Sequence, residues 1–271
     1  MKNIFVINDS SAHARQVIRF ARNMAARIEA NLLIANVNPV SVAGTVQEKV
    51  LVAGRPHRIT DEALHPVHYH SEVTPHAFQP STEYIDAHNI SEQELSQLII
   101  QHDSWMIVNA LNVGNTIPQL NIHTILNKVR CPLMLIPEDC HTTDFSTVSY
   151  LADLRYCQLP VVRYLSALAK PYQAGIQIAH LPADGLPDMD QQYATEVFSD
   201  GISRYVKYDN LFFNNIKERD IHKAVDIMVH AMDTNLIALV NHQYHFRELL
   251  NGTIKHILPA HVHVPVLVFP N

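Results

Sequence analysis

The chain has 271 residues and is 47% hydrophobic, enough for one large domain or two of roughly 130 residues with separate cores, which excludes a largely disordered protein. Its 20 basic and 26 acidic residues leave a formal charge of −6, so it lacks the basic footprint of a nucleic-acid binder or a polybasic membrane anchor. The apolar run near the N-terminus, Ile4 to Ile7, is too short for a signal-peptide core, and no stretch of about 18 apolar residues occurs; the expectation is a cytoplasmic protein with no nucleic-acid or membrane partner.

In chain order, the first strand is expected over Asn3–Asp9 and is followed by a helix, because Ala14, Val17, Ile18, Ala21, Ala25 and Ile28 recur at steps of three and four. A second apolar strand runs from Asn31 to Val37. The region from Ser41 to Ser81 is rich in Pro and His. Within it Val46–Val52 reads as helical and His65–Glu72 as strand or loop, and the region is expected to project from the fold or to cover its open edge. Ser91-Glu-Gln-Glu94 is a capping box ahead of Leu95, Leu98 and Ile99, which sets the start of another helix. Strands follow over Ser104–Asn109 and Cys131–Pro137, and the polar stretch Glu138–Asp144 marks a boundary.

Beyond that boundary the order repeats. Thr147–Asp153 matches Asn3–Asp9 and Gly175–Leu181 matches Asn31–Val37, both at an offset of 144. A helical period through Ile221, Ala224, Val225, Met228 and Met232 leads to strands Asn235–Asn241 and Val264–Pro270, offset by 131 and 133 from their first-half counterparts. The chain therefore reads as a degenerate duplication, with domains at 1–140 and 143–271. Because the strand runs are continuously apolar, each half is a doubly wound α/β unit, its mainly parallel sheet covered by helices on both faces.

Several chemistries are excluded by spacing. The seven glycines, at 44, 54, 114, 175, 185, 201 and 252, are never closer than ten residues. A Rossmann fingerprint, a Walker loop and a Gly-x-Ser-x-Gly nucleophile elbow all need glycines far closer together. Cys131, Cys140 and Cys157 include no Cys-x-x-Cys pair, which removes disulfide frameworks and cysteine-rich zinc sites, and Cys131 reads as a small buried hydrophobe. No catalytic residue is selected.

The strand ending in Asp9-Ser-Ser, the late strands, and above all Ala238 through His256 and on to Val264–Pro270 resemble the universal stress protein family. The likeness is to its tandem members in Bacteroidota-type bacteria. It implies five strands in each half, an ATP or AMP site built from an Asp after the first strand and a Gly-x2-Gly-x9-Gly-Ser/Thr run after the fourth, and pairing of the two halves through their last strands, with a homodimer or an unidentified protein as further partner. Asp9 and Asp153 fall at the Asp position, and Gly252-Thr253 falls at the final Gly-Ser/Thr of the second half. Leu239 and His242 occupy the earlier glycine places, and Gln119-Leu120 replaces the pair in the first half.

Asp153, Gly252, Thr253 and Lys255, together with Asp9, are thus the ligand-binding candidates; a helix beginning at Gly252-Thr253 presents amides to an anion, and Lys255 adds charge. For Asp9 and Asp153 the stronger reading is as caps of the following helices, with Ser10 or Ser11 assisting at Asp9. Among 18 histidines the densest group is His65, His68 and His70; on a strand His68 and His70 share a face and would suit zinc. His242 with His245, and His261 with His263, read as polar boundary positions. The functional expectation is a non-catalytic stress-response protein acting by association or through a weak, altered nucleotide or anion site in the second half. The alternatives are a true adenine-nucleotide binder with slow ATPase activity and a histidine-based metal-binding protein.

Overall fold

The computed structural model describes residues 1–11, 13–37, 78–88, 90–111, 122–142, 144–250 and 263–271. The first half contains β1 (Lys2–Asn8), α1 (Ala14–Ile28), β2 (Ala30–Asn36), β3 (Thr82–Asp86), α2 (Glu92–Gln101), β4 (Met106–Leu111), α3 (Ile122–Leu126) and β5 (Leu133–Pro137). The second contains β6 (Thr147–Ala152), α4 (Leu159–Ala169), β7 (Gly175–His180), α5 (Gln191–Gly201), β8 (Leu211–Asn215), α6 (Ile221–His230), β9 (Leu236–Val240), α7 (Tyr244–Leu250) and β10 (Val266–Phe269).

Successive side chains of a strand point to opposite faces, and here both faces are apolar. In β1, Ile4 and Val6 join a core layer with Val17, Phe20 and Met24 of α1 and Val162 and Leu165 of α4. Phe5 and Ile7 join the opposite layer, with Leu95 and Ile99 of α2, Met228 of α6 and Phe246 of α7. This is why the central strands read as unbroken hydrophobic runs: a strand covered by helices on both sides has no polar face to alternate with.

All ten strands lie in one sheet, in the order β3-β2-β1-β4-β5-β10-β9-β6-β7-β8. Each half contributes five strands in the same relative order, so the two five-stranded sheets expected from the resemblance are continuous. Every neighbouring pair is parallel except β5 and β10, which run antiparallel with Val266 opposite Leu135, Leu267 opposite Met134 and Val268 opposite Leu133. These strands are buried throughout, and their pairing satisfies backbone groups that would otherwise form two apolar edges. The antiparallel join also inverts the second half, bringing the carboxyl edge of its strands to the same side of the sheet as the amino edge of the first half.

Caps set several helix starts. At α2, Ser91 Oγ accepts from the Glu94 amide at 3.2 Å and Glu94 Oε2 accepts from the Ser91 amide at 2.7 Å, completing the capping box. Asp190 and Asp220 accept amides at the starts of α5 and α6. The first helix departs from the capping expectation for Asp9. Its N-cap is His13, which makes no side-chain cap bond, and Asp9 Oδ1 instead accepts the Ser11 amide at 3.0 Å, turning the loop ahead of the helix.

Candidate functional site

In an open doubly wound sheet, ligands bind outside the carboxyl ends of the strands where the strand order reverses, which in the second half is between β6 and β9. Buried β6 delivers Asp153 to that place with its side chain 1% exposed. Asp153 Oδ1 accepts from the Arg155 amide at 3.0 Å, capping a short 3-10 turn over Leu154–Tyr156 rather than α4. Its Oδ2 accepts from Arg155 Nη1 at 2.7 Å and from the Ala183 amide at 3.1 Å. Arg155 Nη2 donates in turn to the Pro187 carbonyl at 2.6 Å. Arg155 thus ties the loop after β6 to the loop after β7 and neutralises a carboxylate that burial would otherwise penalise.

Two histidines stand behind this clamp. His180, fully buried at the end of β7, accepts the Leu154 amide at Nδ1 over 3.2 Å, so a neutral ring carries its proton on Nε2. Burial lowers its pKa. His245 is buried on α7, with Nε2 at 2.8 Å from the Leu181 carbonyl; a carbonyl only accepts, so Nε2 is the donor. Burial holds the His245 pKa down at about 4. The boundary reading of His245 is therefore corrected: α7 lays it on the sheet beside Phe246 and Leu249, and its polar atom is satisfied within the core. His263 keeps a boundary place, half-exposed with Nδ1 3.7 Å from Asp139.

A cleft of about 530 Å³ opens over these residues, walled by Asp153, Tyr156, Asp184, Tyr244, His245 and Arg247 among others. Its phenol rings supply apolar area, and Arg247 and Asp184 supply opposite charges. His242, exposed between β9 and α7, has φ +64°, a left-handed conformation that suits the glycine whose place it takes. Its ring Nε2 lies 2.8 Å from Asn127 Oδ1, which also accepts from Asn241 Nδ2 at 3.1 Å, so the loop is anchored to the first half. Leu239, at the other glycine place, is buried inside β9 and is not part of a loop.

The remaining expected site residues are distributed otherwise. Asp9 stands at the corresponding edge of the first half, where His13 is buried and has its pKa lowered by that burial against the opposing influence of Glu138, Asp9 and Asp139. Gly252, Thr253 and Lys255 lie outside the described residues, as do His65, His68, His70 and His261. Among the described residues no three His, Cys, Asp or Glu side chains gather as metal ligands. Burial pushes the thiols of Cys131 and Cys157 up to about 12, which keeps both protonated and poorly nucleophilic. No described helix is long and apolar enough to cross a membrane.

Arg155, Tyr244 and Arg247 do not stand out in the sequence. Only the Asp-x-Arg spacing at 153–155 hints at the clamp, and its other half, Ala183 and Pro187, comes from a separate loop.

No known family profile matches the chain, and no curated protein matches it in sequence. Solved structures share its architecture. A universal stress protein from Archaeoglobus fulgidus is 12% identical, with 99% of this chain and 96% of that one aligned at a TM-score of 0.58. A functionally unknown protein from Pseudomonas aeruginosa is 11% identical, with 99% and 92% aligned at a TM-score of 0.55. At such identities the likeness is one of fold: the chain has the doubly wound architecture of a universal stress protein, carried as two inverted halves of a single ten-stranded sheet.

Proposed function

We propose that the chain is a non-catalytic stress-response protein of the universal stress protein type, whose ligand site is the cleft beside Asp153 and whose affinity for adenine nucleotides is weak. The observation that carries this reading is the pairing of an open cleft at the switch point with a carboxylate already committed. Both Asp153 oxygens are occupied, by Arg155 and by the Arg155 and Ala183 amides. With three of its roughly four acceptor positions used and its side chain 1% exposed, Asp153 offers an adenine edge a buried and nearly saturated acceptor.

Two further features support weak binding. No two glycines stand three residues apart, so the backbone lacks the paired close approach to phosphate that the family motif provides. His242 places a ring where that motif has hydrogen, and the ring is engaged with Asn127. The resemblance adds Gly252, Thr253 and Lys255 to the proposed site, two small residues and a cation by their sequence alone. The absence of an activated nucleophile or a glycine-rich loop from the sequence supports a binding role over turnover.

A thermal-shift panel with ATP, AMP, magnesium and zinc tests this. A small rise in Tm with ATP or AMP at millimolar concentration, and none with zinc, agrees with it. A large rise at micromolar ATP favours a dedicated nucleotide binder, and a rise with zinc that chelator reverses favours a metal protein; either result refutes the proposal.

A further inference from the structure

A larger recess, of about 890 Å³, lies at the amino edge of the first half. It belongs to neither carboxyl-edge site. Its walls come from four separate places: Lys2 at the start of β1, Ile99 and Ile100 with Asp103 at the end of α2, Trp105 ahead of β4, and Lys128 to Cys131 ahead of β5, closed by Tyr164 of α4. The back wall is fixed. The Tyr164 ring stacks on the indole of Trp105 with centroids 4.5 Å apart and planes at 15°. Its hydroxyl donates to the Trp105 carbonyl at 2.8 Å, and the Trp105 amide donates to the Asn3 carbonyl at 2.8 Å. Lys2 Nζ sits 4.3 Å from the centroid of the same indole.

The charge in this recess runs against the rest of the molecule. The whole chain carries −6, yet the lining of this recess holds Lys2, Lys128 and Arg130 with one carboxylate, Asp103, while Glu29 acts on Lys2 from outside it. Lys128 and Arg130 are exposed, and among the described residues neither is engaged in an ion pair. Ile100 presents a large apolar side chain that is 55% exposed, with Val129 buried beside the two cations. An apolar floor with a rigid aromatic wall and unpaired cations at the rim recognises one chemical class. A neutral hydrophobe leaves the cations unused, and a small inorganic anion leaves the apolar area wet.

We propose that this recess is a second binding site, for a small amphipathic organic anion: a carboxylate, sulfonate or phosphate head held by Lys128 and Arg130, with an apolar chain or ring lying against Ile100 and Trp105. The volume is in the range that takes one drug-sized molecule. The site does not depend on nucleotide binding at Asp153.

The test uses a matched pair of dyes, 8-anilinonaphthalene-1-sulfonate and its uncharged parent N-phenyl-1-naphthylamine, titrated by their fluorescence. Emission of Trp105, the single tryptophan of the chain, serves as a second reporter. The wild-type protein is expected to bind the sulfonate at least tenfold tighter than the amine, to lose that preference in half-molar salt, and to change its tryptophan emission on binding. Lys128→Glu with Arg130→Glu is expected to weaken the sulfonate at least tenfold and to leave the amine within twofold, which also reports that the cavity persists. Lys128→Gln with Arg130→Gln removes the charges without reversing them and is expected to weaken the sulfonate at least threefold. Equal affinity for the two dyes, or unchanged sulfonate affinity in the Gln variant, overturns the proposal. So does loss of the sulfonate in Arg247→Glu but not at Lys128 and Arg130, since that places the anion in the Asp153 cleft.

Discussion

Replacing Arg155 with Met tests whether the Asp153 clamp holds the second-half site together. Met keeps much of the aliphatic stem but removes the guanidinium, leaving Asp153, 1% exposed, without its counter-charge. Stranding one member of a buried pair costs about 3–5 kcal/mol. Two corrections lower that figure. Arg155 is itself 25% exposed, so solvent screens part of the interaction, and two backbone amides still reach the carboxylate. The bond from Arg155 Nη2 to the Pro187 carbonyl is lost as well, worth about 1 kcal/mol. The balance is about 2–3 kcal/mol, or roughly 5–10 °C in Tm for a chain of this size. Chemical denaturation of Arg155→Met, Asp153→Asn and the double variant gives the coupling directly. The clamp predicts that the double variant recovers about 2 kcal/mol relative to the sum of the singles. A single-variant loss below about 0.5 kcal/mol, the level of an exposed surface pair, refutes the reasoning.

Three more outcomes follow from the same geometry. The pKa of His245 is held at about 4 in the fold against about 6.5 in the unfolded chain, so the unfolded state takes up the extra proton on acidification; stability present above pH 6.5 falls by about 3 kcal/mol by pH 4, and His245→Gln should flatten that part of a pH–stability curve, whereas an unchanged curve contradicts it. At His242, φ +64° predicts that His242→Val costs about 2 kcal/mol while His242→Gly stays within about 1 kcal/mol, because relief of backbone strain offsets the lost contact with Asn127; equal losses in urea melts would show that the contact, not the backbone, governs the position. Expressed separately, residues 1–140 and 143–271 should self-associate on gel filtration, since each then exposes the apolar edge that β5 and β10 bury against each other; two stable monomers would contradict this.

The central strands were readable because burial on both faces leaves a continuous apolar run, and Ser91 with Glu94 marked a helix start by side-chain chemistry alone. Of the outer strands, β3 has no such run and β8 has only the three residues Leu211 to Phe213. They close the sheet at its two edges, where Tyr84 is 64% and Phe212 52% exposed, and a short edge strand needs no hydrophobic pattern to pair on its inner side. Asp153 was readable as a strand end. Its partner Arg155 acquires meaning only when the loop carrying Ala183 and Pro187 folds over it, a contact some 30 residues away. His245 looked like a boundary residue because polarity is visible in a sequence, whereas the Leu181 carbonyl that accepts its proton is not.

The most direct test of the central claim is isothermal titration calorimetry of ATP and AMP against the wild-type protein and against Tyr244→Ala with Arg247→Glu, two substitutions in the wall of the Asp153 cleft. The account predicts a dissociation constant between about 1 μM and 1 mM, roughly −8 to −4 kcal/mol, with binding lost in the variant and no ADP formed in the cell. A constant below about 1 μM, ATP turnover, or heats that the two substitutions leave unchanged would contradict it.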